Sequence, residues 1–138
     1  MAAFIKVDSF MKAVAEKKHD LGSDQLAVVF QRSDPAGAAV LTDLNLYEVP
    51  WMDHLVNTDV ETRSATQTAG LYTLKVGFVA PQAVGHDIGP FRYVVLYNKS
   101  APAKELIGYW SIGEEMMLAD SFCLFLWDAL DAPLLLIG

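Results

Sequence analysis

The chain has 138 residues, 53% of them apolar and 20% charged, which is enough for one domain with a real core and excludes a disordered chain. Ten Lys and Arg stand against 17 Asp and Glu for a formal charge of −7, so neither nucleic acid nor an anionic membrane surface is an expected partner. The single cysteine, Cys123, excludes an intrachain disulfide framework and a thiol-rich zinc site.

A short strand over Ala3 to Val7 precedes the one clear helical pattern. Val7, Phe10, Met11 and Val14 recur at i, i+3, i+4 and i+7, which predicts a helix over about residues 9–18 with Asp8 as N-cap and Gly22 at the exit. Gln25 to Gln31 reads as a strand closed by the turn Ser33-Asp34-Pro35-Ala36-Gly37. Residues 38–69 carry no decisive pattern, and Thr58 to Thr68 is polar and small, like an exposed loop or edge. A strand over 71–79 with two unlike faces follows, then a Gly/Pro-punctuated loop from Pro81 to Pro90.

Phe91 to Asn98 is the clearest strand in the chain. Lys99 to Lys104 turns, Glu105 to Ser111 forms the next strand, Gly113 to Glu115 turns again, and Met116 to Leu118 continues. Phe122 to Trp127 and Leu134 to Ile137 close the chain as strands buried in a sheet core. Short strands about ten residues apart predict a mainly β protein: a single antiparallel β-sandwich, or barrel-like, domain over 1–138 with one short N-terminal α-helix. Asp128, Asp131 and Pro133 interrupt the C-terminal apolar stretch, so neither half spans a bilayer of roughly 30 Å. With no secretory pattern at the start, the sequence reads as a soluble protein made without a signal.

Residues 19–36 align without a gap to residues 86–103, with His, Asp, Gly, a Val, Ser, Pro and Ala coinciding. That predicts two similar loop–strand–turn units and carries no function by itself.

Candidate chemistry is sparse. His19-Asp20 and His86-Asp87 look like the ligand pairs of metal phosphohydrolases, but those enzymes need further His and Asp on a helical bundle, and only His54 remains here. The expectation is loop histidines beside turn-forming aspartates. Cys123, between Phe122 and Leu124, is expected as a small buried hydrophobe rather than a nucleophile. Glu114 and Glu115 are adjacent, so on an extended chain they point to opposite faces and cannot share a substrate. No nucleophile elbow, phosphate loop or dinucleotide fingerprint occurs. Trp51, Tyr109 and Trp110 lie near turns, as core plugs or as contact residues. No catalytic, cofactor or metal site, and no enzyme, is predicted.

The segment Ile88-Gly89-Pro90-Phe91-Arg92-Tyr93-Val94-Val95-Leu96-Tyr97-Asn98, followed by Leu106-Ile107-Gly108-Tyr109-Trp110 and Gly113, resembles a family of small tailed-bacteriophage virion structural proteins. The resemblance extends to Lys18 through Asp24, to Ala69-Gly70-Leu71-Tyr72 and to Asp120-Ser121-Phe122, in the same order over most of the chain. It departs at Tyr109 through Gly113, where an Asp-Tyr pair before the glycine is more typical, and over residues 45–60, where Trp51 and His54 replace a Gly- and Thr-rich stretch.

What the resemblance implies is a virion structural protein, within that class a capsid decoration (cement) protein on the outer head surface. The implied partners are the major capsid protein and copies of the chain itself, a homotrimer by analogy with shell decorations on local three-fold positions. A tail or head–tail connector protein is the alternative role, and a carbohydrate-binding adhesion module using Trp51, Tyr109 and Trp110 is an alternative of another class. The apolar fraction agrees with assembly, because so short a chain should keep apolar surface for an interface. Segment 1–21 is the candidate contact; its amphipathic helix can dock on a neighbour or cap its own sandwich.

Overall fold

The computed structural model describes residues 3–127 and 132–137, so residues 1–2 of the candidate contact segment, Asp128 and Asp131 lie outside the described residues. In chain order the elements are β1 (Phe4–Lys6), α1 (Phe10–Ala15), β2 (Leu26–Gln31), β3 (Leu55–Val56), β4 (Asp59–Val60), β5 (Thr62–Thr68), β6 (Leu71–Val76), β7 (Gln82–Ala83), β8 (Ile88–Asn98), β9 (Leu106–Leu118) and β10 (Leu135–Ile137). Single 3-10 turns lie at Leu41–Asp43 and Met52–His54. A five-stranded sheet in the order β1-β9-β8-β2-β4, a three-stranded sheet β10-β6-β5 and the pair β3-β7 are antiparallel throughout. The result is a β-sandwich, not a closed barrel.

Valine, leucine, isoleucine and aromatic residues fill the central strands because branched and flat side chains pack well on a pleated surface. Val94 to Leu96 and Leu106 to Trp110 are buried at every position. Successive strand residues face opposite sides, so both faces of this sheet are covered. Leu74 and Val76 of β6 and Leu135 of β10 join Phe30, Phe91 and Trp110 in one core.

The helix is shorter than predicted. It stops at Ala15 because Lys17 adopts a positive φ of 62°, and the Lys17 and Lys18 N–H groups then bond the carbonyls of Val14 and Ala13 at 3.2 and 2.9 Å. That is a Schellman closure, which ends a helix without a glycine. Ser9, not Asp8, is the N-cap, while the Asp8 N–H is drawn to the Ala36 carbonyl at 3.1 Å. Residues 62–68, read as a loop or edge, form the outer strand of the three-stranded sheet. Ala69 and Gly70, both at positive φ, turn β5 into β6, as a two-residue hairpin with right-handed twist requires.

Two further expectations are corrected. Gly113 to Glu115 is not a turn between strands; β9 runs through it, with a bulge opposite Arg92 and Gly113 at φ 92°. Phe122 to Trp127 is not a strand buried in a sheet. It lies along residues 79–83 through the isolated bridges Gln82–Cys123 and Val79–Trp127, and Phe122, Cys123 and Phe125 are exposed. Apolar residues at every position suggested two buried faces there; the fold covers one.

Candidate functional site

The aligned segments 19–36 and 86–103 end up side by side. The six residues of β2 pair with the six of β8 that align with them, from Leu26 opposite Asn98 to Gln31 opposite Tyr93. Because the pair is antiparallel, the His-Asp dipeptides lie at opposite ends of β8: His19 sits against Asn98, its last residue, and His86 two residues before its first, Ile88, roughly 30 Å away along the strand. They cannot share one metal ion. Among the described residues no group of three or more His, Cys, Asp or Glu could hold one.

His19 sits in a small polar network at one end. Its Nδ1 is 3.0 Å from Nδ2 of the fully buried Asn98, which also donates to Asp24 Oδ2, while Asn98 Oδ1 accepts the N–H groups of Ser100 and Ala101 at 3.1 Å. Asp24 Oδ2 accepts the Asp20 N–H at 2.8 Å, so here the aspartates do close a turn. The ring of Phe10 packs on His19 at 5.5 Å, and His19 Nε2 is buried without a partner. Burial therefore pushes the His19 pKa below its ordinary 6.5, against the pull of Glu105 and Asp24.

Below pH 6.5 the unfolded chain takes up the His19 proton before the folded chain does, so this contribution is complete above 6.5 and is lost on acidification towards the folded pKa. Urea midpoints measured from about pH 7.5 down to about pH 5 should fall more steeply for the natural chain than for His19→Gln. Parallel profiles would mean that His19 is not buried as described.

At the other end His86 meets two unforeseen neighbours. β3 pairs with β7, Leu55 opposite Ala83, and this brings His54 beside residues 84–86. The Trp51 indole stacks on His86 at 3.8 Å with planes 1° apart, and His54 stands edge-on to both rings at 5.4 and 4.8 Å. His54 Nδ1 lies 3.1 Å from the Val84 carbonyl. Residue spacing carries no sign of this cluster, because it depends on a two-residue strand pair. Of the three aromatics near turns, Trp110 and Tyr109 are buried, whereas Trp51 is 51% exposed. Glu114 and Glu115 are both exposed, and Glu115 pairs with Arg32 at 3.0 Å.

A third feature is a surface rather than a pocket. Residues 79–84 lie between residues 54–56 and 121–127, held by bonds such as Ala83 N–H to the Phe122 carbonyl at 3.1 Å and Leu126 N–H to the Val79 carbonyl at 2.8 Å. Burial alternates along this ribbon: Val79, Pro81, Ala83 and Leu126 face the core. Val56, Gln82 and Cys123 stand opposite one another, so they share the outer face. Phe78, Ala80 and Cys123 line one cleft of about 610 Å³, and Phe125 is 63% exposed beside them. Cys123, expected inside, is on this surface. No helix among the described residues is long and apolar enough to cross a membrane. No family model, curated protein or solved structure matches the chain.

Proposed function

We propose that the chain is a virion structural protein of a tailed bacteriophage, acting as a decoration protein on the outer head surface. The observation that carries this is the outer face of the ribbon: Phe78, Phe125, Val56 and Val84 exposed together on a chain of net charge −7. Acidic copies repel one another except where their surfaces are neutral, and among the described residues lining this cleft the charges Lys99 and Asp59 pair at 3.0 Å and cancel. An apolar face of this kind marks an interface. The ordered resemblance of the sequence to phage structural proteins supports the same role.

The partners are then the major capsid protein and further copies of the chain, as a homotrimer, and the ribbon replaces segment 1–21 as the contact. Mass spectrometry of purified particles tests the role: hundreds of copies mean shell-wide decoration, a few to a dozen mean a connector or tail part, and absence refutes both. The Phe78→Ser, Phe125→Ser double variant should keep its fold, since both side chains are exposed. Aromatic anchors at an interface centre contribute about 2 kcal/mol each, so self-association and capsid binding should weaken by at least about tenfold. Sedimentation and particle occupancy give the measurement; an unchanged solution mass and occupancy would remove the ribbon as the contact.

A further inference from the structure

The Trp51 cluster is unexplained by assembly. Trp51 takes a left-handed backbone conformation, φ 63°, which is unfavourable for a bulky residue, and yet leaves about half of its side chain exposed. Its ring is nevertheless fixed, stacked flat on His86 with His54 braced against both. A cavity of about 500 Å³ opens beside it, lined by Trp51, His86, Gly85, Asp87, Met117 and Asp120 among others. That volume suits a small ligand.

The two carboxylates are also oriented. Asp87 Oδ1 accepts the Asp120 N–H and Asp120 Oδ1 accepts the Gly85 N–H, both at 2.8 Å, so each carboxylate spends one oxygen on the backbone and keeps the other as an acceptor. From this geometry we propose that the cavity binds a neutral saccharide: one pyranose ring lies its C–H face on the exposed part of the Trp51 indole and donates hydroxyls to Asp87 and Asp120. The chemistry selects against other ligands. The lining contains no Lys or Arg for an anion, and its mixed polar wall does not suit a lipid tail. A quaternary ammonium wants an aromatic cage, whereas the cavity offers a single indole with one face already covered by His86. This site goes beyond the structural role proposed above and stands whether or not that role holds.

The full chain would be titrated with glucose, galactose, mannose, N-acetylglucosamine and their linear oligomers, followed by tryptophan fluorescence and calorimetry. At least one sugar should give a saturable, millimolar response with a shift in indole emission. Trp51→Ala should abolish it, and Asp87→Asn with Asp120→Asn should weaken it at least tenfold. Circular dichroism checks that each variant is folded; if Trp51→Ala is not, Trp51→Tyr, which keeps a stacking ring, should retain weakened binding. No saturable response to any sugar overturns the proposal, as does a response that survives Trp51→Ala. Binding of choline with the sugars silent overturns it in favour of a cation site.

Discussion

Removing residues 1–18 should unfold the protein rather than release it from a partner. β1 covers the outer edge of β9, with Phe4 opposite Trp110 and Lys6 opposite Gly108, and the Val7 N–H extends the pairing to the Ile107 carbonyl at 3.1 Å. The Phe4 ring packs on the Trp110 indole at 4.8 Å, and Trp110 is fully buried. Val7 and Phe10 are themselves core residues, 3% and 0% exposed. Burying side chains of this size stabilises by about 2 kcal/mol each, and the truncation also leaves an apolar edge strand unpaired. The sum is on the order of 6 kcal/mol, comparable to the whole stability of a typical domain, about 5–15 kcal/mol. Circular dichroism and solution mass of residues 19–138 should therefore report an unfolded or aggregated chain. A folded truncation that merely fails to assemble would return the helix to the role of contact, with only half-exposed Met11 left to make it.

The strands that were legible are those whose pattern and packing agree. Gln25 to Gln31 and Phe91 to Asn98 are rich in β-formers, and both lie in the centre of the main sheet, where propensity and burial act in one direction. Even their internal similarity has a counterpart, since the aligned residues pair across one ladder. Phe122 to Trp127 misled because composition cannot tell a strand covered on both faces from one covered on a single face; an apolar run looks the same in either place. The helix end misled because Lys17 accepts a left-handed φ that glycine usually supplies. The cluster of Trp51, His54 and His86 was illegible for a different reason. Its members are 3 to 35 residues apart and are joined by β3 and β7, pairings of two residues whose register nothing local specifies. Trp51 and His54 also fall where the chain departs from the phage pattern, so resemblance could not supply them.

Gly108→Ala should be strongly destabilising, although it adds a single methyl group. A Cβ at residue 108 would lie 2.5 Å from the Ile5 carbonyl oxygen and closer still to the Phe4 ring. The ring is pinned on Trp110 and the carbonyl belongs to the β1–β9 ladder, so neither yields without moving β1 off the sheet. Overpacking against fixed neighbours costs about 1–3 kcal/mol, and loss of part of the β1 pairing adds to that, so a destabilisation of about 3 kcal/mol is expected. At this chain length it should lower Tm by about 10 °C. Gly37→Ala is the control, because nothing stands within 4 Å of its added methyl, and it should change Tm little. A double-mutant cycle of Gly108→Ala with Phe4→Ala then separates the two clashes. Deleting the ring should relieve only part of the loss, since the Ile5 carbonyl remains in place. Additivity would show that Phe4 does not lie over Gly108, and a Gly108→Ala chain as stable as the natural one would mean that β1 is not seated on β9 at all.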